Sequence, residues 1–452
     1  MPKMTVDTLL QKYGRPVPRY TSYPTAPHFH DGVSSATYRG WLSDLPDNAS
    51  LSLYAHIPFC DTLCWFCGCQ TKQIRRYDPV ADYLPSLFGE IATVGGLAGP
   101  SHSVSQIHWG GGSPTILTPE DIKRLAANIR RHFNVSRDAE FAVEVDPRGF
   151  DQARAAALAD SGLTRASIGV QDFSPTVQAA INRLQSFEET SATVSMLRAA
   201  GIGSVNVDLV YGLPHQSSDD LKRTLELIVS FIPDRIAVFG YAHVPWMKPH
   251  QRLSPDESLP DAVARYDQME LAATQLVAAG YRRIGIDHFA LPDDGLTEAL
   301  DEGALRRNFQ GYTTDSAEAL IGLGASAISR LPQGYAQNEK ATGSYIRTIE
   351  SEGLATVKGV GLTEDDRMRG WFIERLLSDF AVSRDDLERR FGPTASALVG
   401  EALHVAGEED GLLEAVGEQF RITGKGRPFA RAVAARFDAY LGGGEGRHSS
   451  AV

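Results

Sequence analysis

The sequence predicts an α/β protein, a partial six-stranded parallel barrel followed by a small, mainly helical C-terminal domain. Three observations carry that prediction. Six short apolar strands each precede a helix-length amphipathic stretch, a succession that requires parallel strands joined by right-handed crossovers. One face of four of these strands is polar, whereas a closed eight-stranded barrel fills its interior with branched apolar side chains. All four cysteines lie within ten residues, directly after the first strand.

In order, the strands run Leu51 to Pro58, Ser105 to Gly112, Glu140 to Pro147, Arg165 to Phe173, Ser204 to Pro214 and Arg235 to Ala242. The helices between them span Asp82 to Val94, Pro119 to Phe133, Asp151 to Ser161, Glu188 to Ala200 and Asp219 to Ile232. Period-two alternation sorts the strand residues by face. In the first strand Leu53, Ala55 and Ile57 oppose Tyr54 and His56; in the third Phe141, Val143 and Val145 oppose Glu144 and Asp146. In the fourth Ile168 and Val170 oppose Ser167, Gly169 and Gln171, and in the fifth Val205, Val207 and Leu209 oppose Asn206 and Asp208. A buried polar group without a partner costs about 1–3 kcal/mol, so this repeated polar face predicts a lumen that holds a polar ligand.

Past the barrel, Pro260 to Gly280 reads as a long helix, and YRRIGIDHFALPDD, RRNFQGYTT and LIGLGASAISR as ordered loops against the barrel mouth. Helix-start signals at Thr363 and Ser383 open TEDDRMRGWFIERLLSDF and SRDDLERRFG. The expected organisation is an N-terminal segment at the barrel mouth (1–47), the barrel (48–250), a flanking extension (251–360), the helical domain (361–440) and a disordered tail (441–452).

Composition narrows the function. The chain has 452 residues, 44 Lys plus Arg against 56 Asp plus Glu, and a net charge of −12. Without a basic block it offers nucleic acid no electrostatic footprint. No window approaches the ~18 apolar residues of a membrane span, and the N-terminus has no apolar leader. A cytoplasmic monomer with no membrane or nucleic-acid partner is expected.

The cysteines, Cys60, Cys64, Cys67 and Cys69, form C-x3-C-x2-C-x-C in HIPFCDTLCWFCGCQT. Disulfides between such close neighbours would be strained. A structural zinc site draws on two separated knuckles, and no second cluster exists here. An iron–sulfur cluster is held by one loop more readily. If all four thiolates bound, the cluster could only carry electrons; if three do, one iron keeps a position open for a ligand. A zinc knuckle and an electron-transfer cluster stay open as alternatives on spacing alone, as does the role of Cys69.

Other motifs surround this loop. Gly110, Gly111, Gly112 and Ser113 end the second strand, where glycines admit a ligand close to the backbone. Tyr54 and His56 point inward just before the cysteines. Glu144 and Asp208 suit ribose hydroxyls, and Gln171 the same class of contact. Lys72, Arg75 and Arg76 follow the loop and form a candidate carboxylate-binding patch. Arg183 sits in or near a helix, where an arginine is most often solvent-exposed.

The spacing C-x3-C-x2-C with Trp65 and Phe66 before the third cysteine resembles the signature of the radical S-adenosylmethionine (radical SAM) superfamily. RYTSYPTAPHF, HWGGGSPT, VEVDPRG, SIGVQDF, INRLQ, VDLVYGLP, GYAHVPWMKPHQR, GIDHFALPDD, RNFQGYTT, GLGASAIS and YAQN, in order from about residue 16 to 440, resemble the family of bacterial oxygen-independent coproporphyrinogen III oxidases. That resemblance implies a [4Fe–4S] cluster on Cys60, Cys64 and Cys67, with the fourth iron binding S-adenosylmethionine. It implies two S-adenosylmethionine molecules: Tyr54, Gly111, Glu144 and Ile328 match contacts to the first, and Phe66, Gly112, Ser113, Gln171, Arg183, Asp208 and Ala242 to the second. Ser113 departs from the family's usual Thr but keeps the hydroxyl. The implied reaction is oxidative decarboxylation of the ring A and B propionates of coproporphyrinogen III to vinyl groups, giving protoporphyrinogen IX in haem biosynthesis. A 5′-deoxyadenosyl radical would start it, with an unidentified reductant and terminal electron acceptor. Alternatives on the same scaffold are a radical SAM methyltransferase, a haem-degrading enzyme and a haem chaperone; Cys69 and the RYTSYPT and NFQGYTT segments argue against the last.

Overall fold

The computed structural model describes residues 5–441. The expected tail, apart from Leu441, lies outside the described residues. All six expected strands are present: β1 (Ser50–Ile57), β2 (Ser103–Gly111), β3 (Asn134–Val145), β4 (Arg165–Gln171), β5 (Ser204–Tyr211) and β6 (Arg235–Gly240). They lie side by side in chain order, each pair parallel. β3 starts six residues before the expected Glu140 because Asn134 and Val135 already pair with Ser103 and Val104. The polar run Ser136 to Asp138 conceals that beginning, and a register shift follows it.

The intervening helices start where side-chain caps satisfy free backbone N–H groups. Thr118 caps Pro119–His132 and Asp151 caps Gln152–Asp160, while capping boxes at Ser186 and Ser217 open Phe187–Ala199 and Ser218–Val229. These helices cover the apolar strand faces. Leu53, Ala55, Ile57, Phe141, Val143, Val145, Ile168, Val170, Val205, Val207 and Leu209 all belong to one buried core.

The flanking segments read as loops are in fact strands, and they widen the sheet to twelve. β7 (Arg282–Ile284) and β8 (His288–Ala290) add antiparallel strands beside β6, with β8 innermost. On the other edge β9 (Ala319–Leu323) runs parallel to β1, followed by antiparallel β10 (Ile328–Leu331), β11 (Gly334–Asn338) and β12 (Thr356–Gly361). RRNFQGYTT forms a hairpin of Arg306–Asn308 against Gly311–Thr313. These strands are too short and glycine-rich to show alternation. At Gly322 a Cβ would stand 2.5 Å from the Ile328 carbonyl oxygen, so the glycine there serves close strand approach.

Beyond residue 361 the chain forms helices Glu364–Ser378, Arg384–Phe391 and Ala395–Ala406 with a three-stranded antiparallel sheet. Thr363 and Ser383 cap the first two helices, as their sequence signals require. This region has its own core, around Phe372, Phe420 and Phe437, and Leu9, Leu10 and Val17 from the N-terminus pack into it. Among the described residues no helix is long and apolar enough to cross a membrane.

Candidate active site

A cavity of about 650 Å³ fills the barrel lumen. Tyr54, His56, His108, Glu144, Ser167, Asn206 and Asp208 line it from the strands, and Gly68, Cys69 and Gln70 from the cysteine loop. Of the inward residues selected by alternation, Tyr54, His56, Glu144, Ser167, Asn206 and Asp208 converge on this space, while Asp146, Gly169 and Gln171 do not line it. Several buried polar atoms on its wall have no hydrogen-bond partner among the described residues, including Arg19 Nε, Arg165 Nε, Arg307 Nε, Asn206 Oδ1 and Gln337 Oε1. Such atoms are costly unless a polar ligand meets them.

Glu144 is held by the Gly111 N–H at 3.1 Å and stands 3.5 Å from His108 Nε2. Gly111 has φ +111°, and a Cβ there would lie 2.4 Å from the His56 ring, so only glycine lets the strand end pass this imidazole. His56 Nε2 donates to the Gln70 carbonyl at 2.9 Å, which leaves Nδ1 to accept from the Tyr54 hydroxyl at 3.0 Å. Burial lowers the His56 pKa, so the ring is neutral and can play both parts. Asp208 accepts from Asn206 Nδ2 at 2.8 Å and Ser167 Oγ at 3.0 Å, while burial pushes its carboxyl up.

The cysteine loop leaves the C-terminal end of β1 and is held almost entirely by its neighbours. Trp65 N–H donates to Ile181 O at 2.8 Å, and Asn182 Nδ2 to Leu63 O at 2.9 Å. From the segment after β6, Gln251 Nε2 reaches Phe66 O at 2.9 Å, His250 Nε2 reaches Cys67 O at 2.8 Å and Lys248 Nζ reaches Cys69 O at 2.9 Å.

Arg183 Nη1 and Arg148 Nη2 lie 3.5 and 3.6 Å from Cys64 Sγ. Both guanidiniums also face Asp146; burial works against that carboxylate, but Arg183 and Arg148 outweigh it and hold it below the usual carboxylate range. Burial pushes the Cys60 thiol up to about 12, so its thiolate needs a cation. Cys67 is pulled down to about 7, chiefly by its hydrogen bond with Cys69. Among the described residues no three His, Cys, Asp or Glu side chains converge on a single ion-sized point. Thiolates on a multi-iron cluster bind different irons and need not converge. Three thiols flanked by two arginines thus fit an iron–sulfur cluster as a donor set.

Of the residues expected to bind ligand, Tyr54, Gly111, Glu144, Ile328 and Asp208 line the cavity. Phe66, Gly112, Ser113, Gln171, Arg183 and Ala242 do not. Phe66 packs against the cluster of Val177, Ile181, Val210, Leu213 and Tyr241, and the Ala242 carbonyl accepts from Gln251. Gly112 and Ser113 donate their N–H groups to Ile57 O and Phe59 O beside the loop. Arg183 is buried rather than solvent-exposed; it donates to Gly169 O at 2.6 Å, and a Cβ on Gly169 would touch both Arg183 and the Gln171 amide. Lys72, Arg75 and Arg76 are exposed and lie outside the cavity lining, with Arg76 pairing to Asp78 at 3.6 Å. The cations that do line it include Arg19, Arg165, Arg235, Lys248 and Arg307. Arg165 shares the parity of Ser167, so alternation along β4 could have found it. Arg19 and Arg307 lie outside the barrel strands, where no local pattern marks them.

Comparison with known proteins agrees with this geometry. Residues 54–228 match the model of the radical SAM superfamily, and residues 362–429 that of the HemN C-terminal domain. An oxygen-independent coproporphyrinogen III oxidase of Bradyrhizobium diazoefficiens is 49% identical over 437 residues, 96% of this chain and 97% of that protein. One from Paracoccus denitrificans is 45% identical over 96% of both chains. The solved structure of Escherichia coli coproporphyrinogen III oxidase (HemN), described as a radical SAM enzyme, superposes with a TM-score of 0.91 at 38% identity, covering 97% of this chain and 100% of that one. The superfamily match and the donor set together imply an iron–sulfur cluster and S-adenosylmethionine as cofactors. This chain belongs to the oxygen-independent coproporphyrinogen III oxidase family.

Proposed function

We propose that this protein converts coproporphyrinogen III to protoporphyrinogen IX without oxygen. Two propionates become vinyl groups with loss of carbon dioxide; S-adenosylmethionine is consumed to methionine and 5′-deoxyadenosine, and an external reductant and electron acceptor balance the electrons. The observation that carries this reading is the placement of the cysteine loop on the wall of a polar 650 Å³ cavity, in a chain alignable end to end with enzymes of that name.

Cys60, Cys64 and Cys67 hold the cluster, with Arg148 and Arg183 offsetting thiolate charge at Cys64. Bound together, cluster and S-adenosylmethionine supply a 5′-deoxyadenosyl radical able to take a hydrogen atom from a propionate β-carbon. Tyr54, Gly111, Glu144 and Ile328 bind the cluster-bound S-adenosylmethionine. Glu144, fixed by the Gly111 N–H, is aimed before the ligand arrives and spends no ordering entropy on it. Phe66, Gly112, Ser113, Gln171, Arg183, Asp208 and Ala242 serve a second S-adenosylmethionine; Gln171 and Arg183, meeting around Gly169, support that grouping. Tyr54 and His56 position the loop through the bond to Gln70 O. The cysteine loop and the hairpin turn at Phe309, edge-on to the Tyr54 ring, line the same lumen and narrow the reacting carbon's access to water.

The test is anaerobic reconstitution with iron and sulfide, then incubation with coproporphyrinogen III, S-adenosylmethionine and a strong reductant. Each divinyl product is expected to appear with two carbon dioxide and two 5′-deoxyadenosine. 5′-Deoxyadenosine without vinyl product would overturn the substrate, and S-adenosylhomocysteine would point to methyl transfer.

A further inference from the structure

A second cavity, of about 50 Å³, opens beside the first and shares Arg19, Asp287 and Arg307 with it. Its other charged walls are Arg265, from helix Ala262–Ala278, and Arg427 and Arg431 from the C-terminal region. Five guanidiniums therefore surround this space, and Asp287 is the only carboxylate lining it among the described residues. That carboxylate pairs with His288 Nδ1 at 2.7 Å and faces Arg19 and Arg307, so one negative charge meets five positive ones.

Arg19 and Arg307 are fixed through backbone carbonyls, which position a guanidinium without neutralising it. Arg19 Nη2 donates to Gly240 O at 2.6 Å, Arg307 Nη1 to Arg19 O and Tyr20 O, and Arg431 Nη2 to Val17 O at 2.8 Å. Nε of Arg19 and of Arg307 is buried without a hydrogen-bond partner. Burial, then repulsion from Arg19, pulls the Arg431 pKa down to about 9. Arg19 and Arg431 are both set back from water, and like charges so placed are costly until an anion joins them. The volume admits a carboxylate but not a macrocycle, so the fitting ligand is a carboxylate on a short arm of a molecule lying in the main cavity.

Resting on the function proposed above, we infer that this arginine-lined cavity anchors a propionate that the substrate keeps. A group about to leave as carbon dioxide is a poor choice for so strong a clamp, because stabilising its charge before reaction raises the barrier to losing it. A retained carboxylate has no such conflict, and it can hold the macrocycle through both decarboxylations. The anchor makes Arg427 and Arg431 substrate-binding residues, although they lie far along the chain from the last barrel strand, Arg235–Gly240.

The experiment compares Arg265→Gln and Arg427→Gln with the wild-type holoenzyme under anaerobic turnover. Each is expected to raise KM for coproporphyrinogen III about tenfold, the worth of one charge-assisted hydrogen bond. kcat, the cluster absorbance and KM for S-adenosylmethionine should stay within twofold of wild type. Both decarboxylations should shift alike, the first from the tetracarboxylate and the second from the monovinyl intermediate. KM unchanged in both variants overturns the anchor while leaving the reaction intact, and so does an effect confined to one decarboxylation. Absence of vinyl product from the wild-type enzyme overturns the reaction and the anchor together. Arg427 is exposed, so Arg427→Gln decides the matter if Arg265→Gln does not fold.

Discussion

The two walls of the lumen hold their charges in different ways. On the barrel wall each cation has its own carboxylate: Arg165 pairs with Glu140, and Arg235 lies 2.8 Å from Asp294 with both side chains buried. On the opposite wall, supplied by segments outside the barrel strands, Arg19 and Arg307 rest on backbone carbonyls, and Lys248 on the carbonyl of Cys69 and the side-chain amide of Gln70. The first wall has its cations neutralised and adds two further carboxylates, Glu144 and Asp208. The second keeps net positive charge. An acidic protein can thus receive an anionic substrate without a basic surface, because what matters is how each cation is held.

Substitutions can break this contrast, the largest effect coming from the loop where the walls meet. Cys64→Ser is expected to abolish vinyl formation, at least 10³-fold, with loss of the cluster's visible absorbance after reconstitution. Cys69→Ser should keep that absorbance; its disappearance would make Cys69 a ligand. On the neutral wall, Glu144→Gln removes a charged acceptor and should slow 5′-deoxyadenosine release by about 100-fold at fixed S-adenosylmethionine.

The two kinds of cation should then separate by assay. Arg235→Met strands Asp294 without its partner and should cost about 3 kcal/mol in denaturant unfolding, with little change in KM of the surviving enzyme. Arg307→Gln should do the reverse, raising KM for the porphyrinogen about tenfold at near-normal stability. If Arg307→Gln unfolds the protein and Arg235→Met does not, the contrast is wrong.

The smallest effect concerns Glu90, buried behind β1, where it accepts from Gly324 N–H, Asn338 Nδ2 and Tyr345 OH at 2.6 Å each. Burial pushes its carboxyl up to about 7, against those three donors. The folded state then holds this proton more tightly than the unfolded chain, so stability falls as pH rises from about 4.5 to 7 and levels off above. Glu90→Gln should flatten that part of the Tm profile.

How much was legible follows the same division. Period-two alternation places Tyr54, His56, Glu144, Ser167, Asn206 and Asp208 on the lumen, because a strand fixes side-chain direction locally. It also marks Arg165, by parity with Ser167. Arg19, Lys248 and Arg307 reach the same space from three separate segments of the chain, and no local period connects them. Lys72, Arg75 and Arg76, close to the cysteines in sequence, lie outside the cavity lining; nearness along the chain was a poor guide where the backbone turns. The edge strands failed for another reason, since three to six residues with glycines leave no alternation to read.

The side chains that grip the cysteine loop bear on how the enzyme lives with oxygen. Phe66, Cys67 and Cys69 each have their carbonyl caught by a residue of the 248–251 segment, and Trp65 and Leu63 are tied to the turn at Ile181 and Asn182. None of these bonds involves iron. A loop so tied is expected to keep its shape when emptied of metal, so that cluster absorbance lost in air returns on anaerobic addition of iron and sulfide to the folded protein.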